Sequence, residues 1–195
     1  VSTRHALNST PHPSSAASNV YKRQIEQLVD YIRKLADCPG EHENVELAEM
    51  VEDVISAHSL PARAKALRTE TDLQADICWA DPTLLMRVLD NLYSNAVHYG
   101  EESGTIWIRS RRVNNRVQID IANTGAPIPR SEETMIFEPF YQGSHQRKGA
   151  VKGSGLGLSI AQDCIRRMQG DLQLVAVDYA AVCFRVELPL TAENE

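Results

Sequence analysis

Three glycines at alternate positions, Gly153, Gly155 and Gly157, stand in the run Lys152-Gly153-Ser154-Gly155-Leu156-Gly157-Leu158-Ser159-Ile160. Glycine has no Cβ to hold a ligand away from the backbone, and it tolerates positive φ, so such a run can wrap a phosphate. Leu158, Ala161, Ile165 and Met168 follow at helical spacing. That places the run at the amino end of an amphipathic helix, where unbonded N–H groups and the helix dipole attract anions. Lys148 and Lys152 lie just before it. The order G-x-G-x-G is neither a Walker A loop nor the dinucleotide fingerprint, and taken alone it fits a surface turn as well as a phosphate cradle.

Amides supply the second group. Asp81-Pro82 opens a helix well, with Asp as N-cap and Pro at the first helical position, and the pattern runs on to Tyr99. At ~100° per residue, Leu85, Val88, Leu89, Leu92, Ala96 and Tyr99 share one arc, while Arg87, Asn91, Asn95 and His98 form a narrow polar stripe beside it. A solvated flank usually carries Lys and Glu; neutral amides four residues apart suit ligand or metal coordination better. Farther on, Val117, Ile119 and Ile121 alternate with polar neighbours, and the same parity turns Asn123 inward just before Thr124-Gly125-Ala126-Pro127-Ile128-Pro129. An inward amide at a strand end can hydrogen-bond a planar base, and equally can form an ordinary Asx turn. In Ile136-Phe137-Glu138-Pro139-Phe140-Tyr141, the two Phe can wedge the foot of a loop or serve as plain core.

Several elements must position these groups. Val1 to Asn19 is polar and without periodicity, an expected irregular or disordered tail over 1–19. Ile25, Leu28, Val29, Ile32 and Leu35 predict a helix over about 20–38 that is too short to stand alone and needs a partner helix. Glu41 to Asn44 reads as a polar linker. Helices follow at Leu47 to His58 and Pro61 to Leu67, then a strand at Ala75 to Trp79. After the amide helix come strands at Thr105 to Arg112 and Val117 onward, joined at Asn114-Asn115. Gln142 to Lys152 is polar and basic and builds no core, which marks it as a lid. Gln169-Gly170 ends the last helix, and strands at Asp171 to Val177 and Ala181 to Leu188 close the chain around a turn at Asp178-Tyr179.

The 195 residues suit one domain plus an appendage, and 43% hydrophobic with 24% charged residues is the balance of a soluble globular protein. A net charge of −6 argues against a nucleic-acid binder, so any anion site must be local. The cysteines, at 38, 78, 164 and 183, form no C-x-x-C pair; they read as buried and reduced. No apolar run approaches the length of a membrane span. As it stands the chain is expected to be cytoplasmic, although it can be part of a larger membrane protein.

Together the asparagine helix, the strand-end Asn-x-Gly, the Phe-x-Pro-Phe and the glycine run resemble, in order and spacing, the N, G1, F and G2 boxes of sensor histidine kinases. These are Bergerat-fold ATPases of the class shared with gyrase, Hsp90 and MutL. The lid and its flanks look closest to an enterobacterial membrane sensor kinase of the quorum-sensing and adrenergic-signal type. The resemblance implies an α/β fold, a two-layer sandwich in which helices cover one face of a mixed Bergerat-fold sheet. A dimerisation-type helical segment (20–38) would precede an ATP-binding catalytic domain at 44–192. ATP and Mg²⁺ are the implied cofactors. Asn95 would ligate the metal and Asn91 help hold the phosphates. Arg87, His98, Tyr99, Gly125, Ile128, Phe137, Phe140, Leu156 and Leu158 would line the nucleotide, and Asn123 would face the adenine amino group. Gly153, Gly155 and Gly157 would admit the phosphates, and Lys148 or Lys152 would meet the terminal ones.

This chain departs from the pattern in ways that bear on chemistry. Asn123 stands where the family usually has Asp, Pro127 where the box has its second Gly, and His98 where Lys or Arg is common. Members that hydrolyse ATP usually carry Glu where this chain has Asn91; without that carboxylate no base is poised to activate water, and transfer to another acceptor is the better reading. The nearest candidate acceptor, His5 in His5-Ala6-Leu7-Asn8-Ser9-Thr10-Pro11, has no acid beside it, and an irregular or vector-derived tail accounts for it better. The expected function is donation of the γ-phosphate to a histidine that then phosphorylates a response regulator receiver domain, with a second kinase protomer as partner. Two alternatives remain open: a module that binds nucleotide without transfer, and an ATPase or serine kinase of the same superfamily.

Overall fold

The computed structural model describes residues 40–143 and 154–190. The expected tail, the helix at 20–38, Cys38, His5, Lys148, Lys152, Gly153 and the lid from 144 onward lie outside the described residues.

Alternation along β5 (Arg116–Asn123) organises the sheet, because Val117, Ile119 and Ile121 fall on one face and are wholly buried. Antiparallel pairing on either side extends that face. Ile106 and Ile108 of β4 (Thr105–Val113) lie opposite Asn123 and Ile121, and Val182, Phe184, Val186 and Leu188 of β7 (Val182–Pro189) lie opposite Asn123, Ile121, Ile119 and Val117. Two edge strands complete it. β2 (Arg68–Leu73) runs parallel to β4, and β6 (Asp171–Leu174) antiparallel to β7, giving a mixed five-stranded sheet of order β2-β4-β5-β7-β6. A separate two-stranded ribbon pairs β1 (Glu43–Glu46) with β3 (Ile77–Ala80).

Among the described residues, helices cover the apolar face only, as expected. α1 (Leu47–Ala57) turns Leu47, Met50, Val51 and Val54 inward and is followed by the short α2 (Ser59–Ala64). α3 (Pro82–Tyr99) and α4 (Gly157–Arg167) pack side by side. The start of α3 follows from its cap: the buried Asp81 carboxylate accepts the N–H of Thr83 at 2.8 Å and of Leu84 at 3.1 Å. Burying each large apolar side chain of this layer, Leu89 and Leu92 among them, stabilises the fold by roughly 1.5–3 kcal/mol.

α3 buries a wider arc than the sequence pattern predicted. Leu84, Tyr93 and Val97 are buried as well, and Tyr93, wholly enclosed, bonds its hydroxyl to Thr69 Oγ1 of β2 at 2.7 Å. The cause is position, since α3 lies against the sheet with α1 and α4 as neighbours. Tyr99, placed by periodicity on the apolar arc, is instead 52% exposed, because the helix ends beside it and the layer ends with it.

The opposite face of the sheet is polar and partly covered by the 175–181 loop. Asp72, Arg109, Asp120, Arg185 and Gln173 form one row across five strands. Arg185 grips Asp120 through both oxygens at 2.7 Å, and the Arg109 guanidinium stacks 3.9 Å over the Tyr179 ring. Asp120 is buried there although it belongs to the polar register of β5.

Several boundaries differ from expectation, among them the strand read at Ala75 to Trp79, which spans Ile77–Ala80. Glu43 and Asn44, read as linker, belong to β1, whose only inward side chain is Val45. β2 went unrecognised because Arg68-Thr69-Glu70-Thr71-Asp72-Leu73 is an edge strand with little apolar content. The second helical piece spans Ser59–Ala64 and stops before Leu67, and β6 ends at Leu174, ahead of Val177. Of the cysteines, 78, 164 and 183 are buried and unbridged, and burial pushes the Cys78 thiol up to about 12 and the Cys183 thiol up to about 11.

Candidate active site

Two of the expected boxes meet at α3 and α4. Asn91 turns its Nδ2 back to the Arg87 carbonyl at 2.8 Å, which fixes the carboxamide and leaves Oδ1 directed at the first residue of α4. A Cβ on Gly157 would lie 3.0 Å from that oxygen, tight enough that the Asn91 carboxamide would have to give by a few tenths of an ångström. The Asn95 side chain, half-buried one turn farther along, makes no hydrogen bond to the described residues. Among the described residues no side chain caps the first turn of α4, although Ser154 Oγ accepts the N–H of the N-cap residue Leu156 at 3.3 Å; the first N–H groups of the turn itself suit an anion.

Gly155 joins the glycine run to the aromatic box. Its φ is +70°, its carbonyl accepts the Phe140 N–H at 2.8 Å, and a Cβ there would lie 2.7 Å from the Tyr141 carbonyl oxygen. Phe140 itself has φ 65°, a strained backbone held by that contact, and its ring is 39% exposed. Phe137 does the opposite: its ring packs edge-on against Phe184 at 6.2 Å and anchors the segment to the core. The two aromatics therefore divide the roles of wedge and core. Leu156 is buried, so it offers a ligand only its backbone, and Leu158 is half-buried.

The fourth box closes the other end of α3. Asn123 is 4% exposed and spends its Nδ2 on the Thr124 carbonyl at 2.8 Å. Glu101 N–H donates to the same carbonyl at 3.3 Å, and Gly100 bridges to Gly125. Gly125 has φ +144°, and a Cβ there would lie 2.9 Å from the Tyr99 carbonyl oxygen. Strand end and helix end are thus stitched together, with Tyr99 and Asn123 at the seam and half-buried Ile128 just beyond. His98, exposed, sets its ring edge-on to Tyr99 at 4.7 Å. Burial, and after it the charge of Lys65, holds the His98 imidazole below the ordinary histidine range.

Sequence reasoning missed Lys65 and Thr124. Lys65 Nζ donates to the carbonyls of Val97 at 2.8 Å, His98 at 2.5 Å and Gly100 at 3.2 Å, capping the carboxyl end of α3. No local pattern signals this, because the lysine comes from the end of α2. Thr124 is a knot: its Oγ1 accepts the Thr105 N–H at 3.0 Å, and Gly104 is needed beside it because a Cβ would strike that hydroxyl. Arg87 is half-buried, with its charge near Cys164 of α4. A cavity of about 170 Å³ between α2 and α3, lined by His58, Pro61, Lys65, Ser94, Val97 and His98, shares only His98 with the expected site.

Among the described residues, then, parts of all four boxes line one edge of the helix layer: amide acceptors from α3 and β5, a glycine-lined approach at α4, and exposed aromatics at the rim. Neutral carboxamide oxygens suit a hard divalent cation that keeps several of its own waters, and the Cβ-free approach at Gly157 suits a phosphate chain. The donor set fits a magnesium–nucleotide complex.

Comparison with known proteins shows the family. The profile of the histidine kinase-, DNA gyrase B-, and HSP90-like ATPases matches residues 80–192. The sensor histidine kinase GlrK of Escherichia coli (strain K12) is 66% identical over 174 residues, which is 89% of this chain and 37% of that protein. The chain therefore spans well under half of that relative's length. The catalytic domain of the histidine kinase ThkA, nucleotide-free, superposes with a TM-score of 0.68 at 28% identity, covering 78% of this chain and 97% of that one. Histidine kinase ThkA in complex with the response regulator protein TrrA superposes at 0.67 with 24% identity, covering 96% and 55%, and speaks to fold alone.

Proposed function

This chain belongs to the histidine kinase-, DNA gyrase B-, and HSP90-like ATPases, and from that membership and the site's geometry we infer that it is the ATP-binding catalytic part of a two-component sensor histidine kinase. The observation that carries the reading is Asn91. An amide, not a carboxylate, faces the glycine run at the position where hydrolysing relatives usually hold Glu. An amide cannot take a proton from water, so the site binds and orients the nucleotide without activating a hydrolytic nucleophile. The β–γ bridging P–O bond of ATP breaks as a histidine imidazole nitrogen on an acceptor helix forms the P–N bond; ADP leaves and the imidazole proton passes to solvent. An aspartate carboxylate of a receiver domain then takes the phosphoryl group, P–N breaking as P–O forms.

Within this scheme Asn123 and Tyr99 place the purine, and the amino end of α4 with Gly155 and Gly157 receives the phosphates. Asn95, with Asn91 beside it, would hold Mg²⁺, which when bound neutralises charge on the phosphates. Lys148 or Lys152 would meet the terminal phosphates. We take 44–192 as the catalytic unit, 20–38 as part of a dimerisation and phosphoacceptor segment, and the parent protein as an inner-membrane homodimer with this part in the cytoplasm. The receiver partner follows from the sensor-kinase reading itself, as the acceptor of the phosphoryl group. Among the described residues no helix is long and apolar enough to cross a membrane.

Incubation with γ-labelled ATP and a separate acceptor-histidine domain tests the reading. Label on that domain supports it. Binding without turnover identifies a nucleotide-holding module, and steady phosphate release identifies an ATPase.

A further inference from the structure

We propose that Lys65 is a positioning residue for the nucleotide: from the turn that ends α2 it sets the carboxyl end of α3 against the strand end at 123–125, and so fixes where Tyr99 stands. The inference rests on the reading of Tyr99 and Asn123 as the residues at the purine.

The end of α3 does not close by the usual device. A glycine after a helix commonly takes positive φ and turns the following N–H groups back onto the last carbonyls. Gly100 instead has φ −56° and ψ 144°, so the chain leaves the helix extended. Lys65 Nζ supplies the donors that a left-handed glycine would have supplied, reaching Val97 O at 2.8 Å, His98 O at 2.5 Å and Gly100 O at 3.2 Å. Three carbonyls around one point suit an ammonium, whose three N–H bonds diverge from a single atom; the planar fork of an arginine does not match them.

A tightly closed turn presents this lysine. Leu67 N–H bonds to Ala62 O at 3.0 Å and Ala66 N–H to Arg63 O at 2.9 Å, with Ala66 at φ 52° where glycine is usual. The main chain of the same turn holds the segment beyond α3: Lys65 O accepts the Ser103 N–H at 2.9 Å, and Arg68 N–H donates to Gly104 O at 3.0 Å. The Leu67 side chain packs over Gly100, where a Cβ would lie 3.3 Å from it and 2.6 Å from Ala96 O. Residues 97–104 are therefore fixed from one side by 65–68. On their other side, Gly100 bridges to Gly125 and Glu101 N–H donates to Thr124 O at 3.3 Å. Tyr99, 52% exposed, is carried between these two sets of contacts. Without the ammonium, three carbonyls in a partly buried corner lose their donor, and the helix end turns toward water to recover one. Tyr99 and the 123–125 strand end then part. The phosphate end keeps its geometry, because α4 meets α3 at Asn91, well before the helix ends.

Calorimetric titration of the 195-residue chain with Mg·ATP, on wild type and K65M, tests this, together with amide hydrogen exchange of both. K65M should bind Mg·ATP about tenfold or more weakly. Exchange should quicken at the Gly100 and Glu101 amides while Ile160 of α4 keeps its rate. An unchanged affinity overturns the proposal, and so does an equal quickening at Ile160, which marks general loosening. M50A in α1 is the control for lost stability: it should melt lower yet bind Mg·ATP as wild type does, and a loss of affinity matching that of K65M overturns the positioning role. Wild type that fails to bind Mg·ATP instead overturns the nucleotide reading itself, so the two failures are distinguishable. Transfer to a separate acceptor-histidine domain adds a kinetic mark: KM for ATP should rise in K65M with kcat held, and a fall in kcat alone counts against the role. In ¹⁵N spectra of wild type, the Lys65 ammonium protons should exchange more slowly than those of a solvated lysine and shift when Mg·ATP is added. Rapid exchange at that ammonium overturns the proposal even where K65M fails to fold.

Discussion

The Cβ that Gly157 lacks would lie 3.0 Å from Oδ1 of Asn91, 66 residues away in sequence. That one approach brings the amide helix and the glycine run into a single site. It also gives the substitution Gly157→Ala a defined consequence. The Asn91 carboxamide, tied to the Arg87 carbonyl, must give by a few tenths of an ångström, which displaces the phosphate end of the site. Nucleotide affinity should fall about tenfold with the melting temperature nearly unchanged, since α4 tolerates Ala better than Gly. Titration and thermal melting of the same sample check it.

Asn95→Ala should abolish Mg²⁺-dependent ATP binding, because the half-buried amide that makes no hydrogen bond to the described residues is the proposed metal ligand. Titration with ATP in the presence of Mg²⁺ and of EDTA reads the metal-dependent part directly. An unchanged affinity would refute the assigned metal site.

Gly155→Ala should act on stability as well as on binding. At φ +70° an L-residue costs about 1–2 kcal/mol, and the added Cβ would meet the Tyr141 carbonyl at 2.7 Å. Thermal melting should drop by at least about 2–4 °C. Proteolysis between Phe140 and Gly155 should quicken, because displacing the backbone at 155 weakens the bond from the Phe140 N–H to its carbonyl.

His98 should titrate below the ordinary histidine range, chiefly because it is desolvated and secondarily because Lys65 is near. The unfolded chain takes that proton at about pH 6.5 and the folded chain only at lower pH, so the unfolded state binds more protons in that window. Stability is therefore lost as pH falls from about 6.5 through the folded value, and His98→Gln should flatten that part of the profile. An NMR titration giving His98 an ordinary or raised pKa would contradict the assignment.

Much of this molecule is legible in one dimension because its information is local. Period-two alternation in β5 and β7 put Val117, Ile119, Ile121 and Phe184 on one face, and Asp81-Pro82 marked the start of α3 through capping chemistry that spans only three residues. The inward turn of Asn123 followed from the same parity. Glycines at 155 and 157, amides at 91 and 95 and the strand-end asparagine carried the family likeness without any knowledge of contact.

Tertiary structure decided whatever depends on partners far along the chain. β2 carries too few apolar residues to be recognised, and exists because β4 offers it a free edge. Lys65 caps α3 from another helix, Tyr99 emerges where the layer ends, and Asp120 is buried by Tyr179 and Arg185 despite its polar register. The polarity of Asn91 and of Asn123 is likewise set by carbonyls whose direction the fold fixes, since a carboxamide reads identically in sequence whichever way it points.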